Sequence, residues 1–151
     1  MDAKISEFYE ATKNVNLDDT ELDEKSMEKV SKIMKNEDDS YEVEELGEVL
    51  GKIMDIYTCS NLLIKSSQKE EFKSEMDKKN LKITDLECYK NYVENILGYI
   101  EQVTEKNSFG RDEFIQMVIT ASKARWQDMD DDEKEDNVFF MEKELKQELK
   151  I

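Results

Sequence analysis

Three groups of residues have the types and spacing to do chemistry. The densest is Glu44-Glu45-Leu46-Gly47-Glu48. On a helix, Glu44 and Glu45 stand four and three residues before Glu48, so all three carboxylates crowd one turn. Carboxylates so close repel one another unless a cation neutralises them, and an oxygen-only cluster suits Mg²⁺ completed by a substrate's phosphates. The second group is Asp128-Met129-Asp130-Asp131-Asp132, which puts Asp128, Asp130 and Asp132 at positions one, three and five of a calcium loop. Its sixth position is then Glu133 where the sharp turn needs glycine, and its twelfth is Phe139 where a bidentate glutamate belongs. It is not a calcium loop. The third is the pair Cys59 and Cys88, far apart, with no CxxC and no histidine to help them hold zinc. They are expected to be buried structural thiols in a reducing compartment.

The segment YEVEELGEVLGKI resembles the EExxE metal-binding helix of the all-α, MazG-like nucleotide pyrophosphohydrolases. NILGYI at 95–100 and SKARW at 122–126 are similar to later parts of that pattern. The resemblance implies a Mg²⁺-dependent nucleoside triphosphate pyrophosphohydrolase with Glu44, Glu45 and Glu48 as metal ligands, or an inactive relative. In that family a second helix supplies an ExxD pair. Here those positions read Tyr92 and Asn95. Asparagine still offers an oxygen, but a tyrosine is a poor replacement for a carboxylate on Mg²⁺, so the resemblance is compatible with an inactive relative as well as with the enzyme.

The chain has no histidine, so a Ser-His-Asp or Cys-His mechanism and imidazole-ligated metals are excluded. No intact catalytic set is left, and no cofactor is expected outside the Mg²⁺ reading. Charge is more informative. The net charge is −16. It divides into −10 over residues 1–48, zero over 49–126 and −6 over 127–151. Acidic ends around a neutral middle repel phosphates, so direct nucleic-acid binding is not expected. They attract a basic partner surface and speed the encounter at low salt. Only Arg111 and Arg125 are arginines, few for a chain that clamps phosphates.

The elements that position these groups are helices. Average usage would give about seven prolines in this length; there are none, and only four glycines, so the chain has little with which to punctuate β-turns. An all-α fold follows, a helical bundle of four to six helices in a single domain over 1–151. Ile5, Phe8 and Tyr9 open it. A helix over about 19–35 carries Leu22, Met27, Val30 and Ile33–Met34 on one side. Asp39 with Glu42 reads as a capping box opening a long helix with the stripe Val43, Leu46, Leu50, Ile53, Tyr57. Whether it pauses at Thr58–Asn61 or runs on through Phe72 and Met76 is open. After a break at Lys78–Lys82, Thr84 and Glu87 form a capping box for a helix over about 85–104. Its face is Leu86, Tyr89, Val93, Ile96, Leu97, Ile100, Val103. Lys106–Gly110 is the best turn candidate, with Gly110 available for a positive φ, before a helix over about 111–127. The last helix carries Val138, Phe139, Met141, Leu145 and Leu149.

No run approaches the ~18 apolar residues of a membrane span, and MDAKISEFYEATK has neither the basic start nor the apolar stretch of a signal peptide. A cytoplasmic protein is expected. Asp128, Asp130, Asp131, Asp132, Glu133, Glu135 and Asp136 are more acid than the N-terminus of one helix needs. With the sole tryptophan, Trp126, just before them, they form an aromatic anchor ringed by carboxylates. The expected function is therefore non-enzymatic: an acidic interaction protein (inhibitor, adaptor or assembly factor) docking on another protein's basic surface. Imitating nucleic-acid charge is one form of it, and a phage or viral counter-defence protein or an immunity protein would suit the size. A dimer is compatible with this reading.

Overall fold

The computed structural model describes residues 2–35, 46–107 and 109–151. Seven α-helices fall in these residues: α1 Asp2–Thr12, α2 Glu24–Met34, α3 Leu46–Ser67, α4 Glu70–Lys78, α5 Glu87–Lys106, α6 Arg111–Asp128 and α7 Asp131–Leu149. One 3-10 turn, Ile83–Asp85, joins α4 to α5, and no strand occurs among the described residues. The class is all-α as expected, with more helices than the four to six anticipated.

The extra count has a local cause. α3 runs through Thr58–Asn61 without a pause, then breaks at the exposed Gln68–Lys69, after which Phe72 and Met76 sit on the separate α4. α3 is the axis of the molecule and packs against α5, α6 and α7. Covered by three neighbours, it is buried on most sides from Tyr57 to Ile64, while Glu48, Lys52 and Asp55 stay exposed nearer its start. Its small polar residues cost little there because they bond back onto the helix. The Thr58 hydroxyl donates to the Met54 carbonyl and the Ser60 hydroxyl to that of Tyr57, each at 2.8 Å.

α2 begins at Glu24, later than the expected residue 19, because Asp23 is its N-cap and accepts from the Lys25 N–H at 3.1 Å. Residues 13–23 are irregular instead, with Leu17 buried and the Asn61 amide donating to the Val15 carbonyl at 2.9 Å. Thr84 does not cap α5; it lies within the 3-10 turn, and Leu86 takes the N-cap position without a side-chain bond. Gly110 has φ −76° and simply precedes α6. The left-handed residues are Lys150 (φ 59°), after α7, and Asn80 (φ 55°), where α4 ends and the Leu81 N–H returns to the Met76 carbonyl at 2.9 Å. The expected Asp39/Glu42 capping box and Val43 lie outside the described residues.

Candidate functional site

Asp18 and Asp19, from the acidic N-terminal part of the sequence, are held at the C-terminal end of α6, and Trp126 is the fastener. It is 5% exposed, in the last turn of α6. Its indole N–H donates to Asp18 Oδ1 at 2.7 Å, and the neighbouring Gln127 amide donates to the Asp19 carbonyl at 2.9 Å. Lys123, one turn earlier, reaches Asp19 Oδ2 at 3.4 Å. The Glu21 N–H, aided by Lys123, holds the Asp19 carboxyl below its ordinary pKa. On the other side Lys134 lies over the Trp126 ring at 5.5 Å from its centre. Trp126 thus faces its own chain and is not presented as a contact residue. What it positions is a surface: the loop carrying Asp18 and Asp19 is held beside the start of α7.

That start is uniformly acidic and outward. Asp130 caps α7, its Oδ1 accepting from the Glu133 N–H at 2.8 Å. Asp131, Asp132 and Glu133 occupy the first turn, where the helix dipole favours negative charge. Asp128 and these residues, together with Glu135 and Asp136, are all exposed. Among the described residues none of these seven carboxylates takes part in an ion pair. The dipole accounts for the first turn, but not for Glu135 and Asp136.

Phe139 was expected in the buried stripe of the last helix and is not. It is 63% exposed and Phe140 is 58% exposed, whereas Met141, Leu145 and Leu149 are buried. The reason is angular. The inward stripe runs Val138, Met141, Leu145, Leu149, at helical spacing, and each further residue turns by roughly 100°. Two adjacent phenylalanines cannot both share that face. Their rings meet edge-on, with centres 6.1 Å apart and planes at 69°. Beside Phe139 an open groove of about 300 Å³ is lined by Val138, Glu135, Lys134 and Glu142 of α7 and by Lys69, which pairs with Glu142. Sequence reasoning missed this aromatic pair, although the sequence carries the signal: Phe-Phe next to a complete core stripe.

Further along α7 the acids turn inward to serve the fold. Glu148 caps α5, accepting from the Glu87 N–H and, at 3.0 Å, from that of Cys88. The Tyr92 hydroxyl donates to both oxygens of Glu144 at 3.0 and 3.1 Å. Cys59 and Cys88 border this region and are half-buried, not fully buried as expected. Burial, with Glu144 and Asp55 adding, pushes the Cys59 thiol up to about 11. Burial and a hydrogen bond to Glu148 raise that of Cys88. Both stay protonated near neutrality, poor nucleophiles.

Glu44 and Glu45 lie outside the described residues, and Glu48 is exposed in the first turn of α3. Tyr92, at a second-helix position where a carboxylate is needed, directs its hydroxyl to Glu144, and Asn95 is exposed. Tyr92 does not fit a Mg²⁺ site, whereas Asn95 keeps an oxygen to offer. Among the described residues no group of three Cys, Asp or Glu is placed to hold a metal ion, and no helix is long and apolar enough to cross a membrane. Compared with known proteins, the chain matches no family model, no curated protein and no solved structure.

Proposed function

We propose that this is a non-enzymatic interaction protein whose α6–α7 corner docks on a basic surface of another protein. One observation supports this above the rest: Trp126 and Gln127 hold the Asp18–Asp19 loop against the helix end that leads into Asp128–Asp136, so two acidic stretches more than a hundred residues apart share one surface. Keeping like charges together opposes folding through their repulsion. A field of one sign steers a cationic partner and raises the rate of encounter. An inhibitor that occupies a nucleic-acid-binding site is one concrete form of such a protein.

Affinity purification from native extract at low ionic strength tests this. Wild type is compared with a variant carrying Asp131→Asn, Asp132→Asn, Glu135→Gln and Asp136→Asn. The expected result is a basic partner that elutes with salt and is lost from the variant. Partners that ignore both salt and these substitutions would overturn the proposal. So would Mg²⁺-dependent release of pyrophosphate from nucleoside triphosphates that Glu48→Gln abolishes.

A further inference from the structure

Resting on the docking function proposed above, we infer that the outward face of α7 is itself the contact surface, with Phe139 and Phe140 as apolar anchors for a cationic amphipathic helix of the partner. Two adjacent phenylalanines, 63% and 58% exposed and packed edge-on against each other, form a continuous apolar patch; among the described residues the other exposed large apolar side chains, Met34 and Ile151, stand singly. Covering a phenylalanine ring removes apolar area from water and is a common source of interface affinity. The groove beside Phe139, floored by Val138, offers space for an aliphatic side chain of the visitor.

Charge decides what that visitor is. On the outward face Asp132 and Asp136 stand N-terminal to the two rings and Lys143 C-terminal to them, and the groove is lined by Glu135 and Glu142 together with Lys134 and Lys69. A second copy of this chain, itself of net charge −16, is repelled on approach. Nucleic acid has the wrong sign. A helix with aliphatic residues along one stripe and lysine or arginine flanking it satisfies both parts: the stripe covers the rings and the flanks meet the acids.

The test uses two fluorescent peptides of about 18 residues, long enough for several helical turns, composed of the same lysines and leucines. One has the leucines in a stripe; the other has them scrambled. Binding is followed by anisotropy for wild type, for Phe139→Ser with Phe140→Ser, and for Asp132→Asn with Asp136→Asn. Circular dichroism confirms that all three are equally helical, as expected for exposed positions. The striped peptide should bind wild type more tightly than the scrambled one, and the serine variant should weaken it by about tenfold or more while leaving the scrambled peptide unaffected. The acid-to-amide variant should weaken both peptides. If the amide variant weakens both peptides but the serine variant changes neither, the aromatic anchors are overturned and the docking function survives. If the amide variant changes nothing, the docking function fails with them. Sedimentation of the protein alone closes the remaining case: a dimer that the serine variant dissociates means a second copy covers this face, and the inference is wrong.

Discussion

The two halves of α7 use the same residue types for opposite ends. In the C-terminal half, Glu144 accepts from Tyr92 and Glu148 caps α5, while Met141, Leu145 and Leu149 fill the interface with α3, α4 and α5. In the N-terminal half, Asp131, Asp132, Glu135 and Asp136 face water beside two uncovered phenylalanines. Carboxylates and apolar side chains stabilise the fold in the first half and are left open in the second. The lesson is that composition does not separate a structural helix from a docking helix. What separates them is whether the polar groups find partners within the chain.

Substitutions sharpen this contrast. The largest effect is expected from Leu145→Ala. Leu145 is 0% exposed, and truncating a buried leucine costs about 2–5 kcal/mol, readable as a lower urea midpoint. Next is Glu148→Ala, which strips the cap from the α5 N-terminus at Glu87 and Cys88. A loss of about 1 kcal/mol is expected, with Glu148→Gln retaining part of it because the amide oxygen still accepts. Trp126→Phe keeps an aromatic ring, though a smaller one, and removes the bond to Asp18. It should cost about 1 kcal/mol and loosen the 13–23 loop, visible as faster amide exchange there. The smallest change belongs to the open half: Phe140→Ser or Asp136→Asn should shift stability by no more than about 0.5 kcal/mol. A cost of several kcal/mol at Phe140 would erase the distinction between the halves.

Alkaline pH probes the closed half separately. Burial lifts the Cys59 thiol from its ordinary 9.0 to about 11, so the unfolded chain gives up this proton first. Its contribution to stability is full below about pH 9 and declines as pH rises toward 11. In urea titrations across that window, Cys59→Ala should fall less steeply than wild type.

Much of the fold was legible in the sequence because helical periodicity reports which face is buried. The stripe Tyr89, Val93, Ile96, Ile100, Val103 is buried as read, and so are Leu50, Ile53 and Tyr57. Periodicity does not report what a face meets. Thr84 and Glu87 have the spacing of a capping box, yet the cap on α5 is Glu148, which lies 60 residues beyond Cys88 and arrives only through tertiary packing. The same limit hid the role of Trp126: its partner Asp18 is 108 residues away. Phe139 is a different case. The stripe Val138, Met141, Leu145, Leu149 is complete without it, and counting angle rather than hydrophobicity would have left both phenylalanines outside. The acidic cluster itself was visible at once, since charge density needs no fold to be seen; that it shares a corner with Asp18 and Asp19 needed the structure.

The most direct measurement is the association rate of the striped, fluorescently labelled lysine–leucine peptide as salt is varied, followed by stopped-flow anisotropy of the label. Raising salt from about 50 to about 300 mM shortens the Debye length and screens long-range attraction. The expected result is an on-rate that falls by about tenfold or more in wild type and far less in the variant with Asp131, Asp132, Glu135 and Asp136 neutralised. An on-rate that is equally fast and equally insensitive to salt in both proteins would contradict docking through this acidic corner.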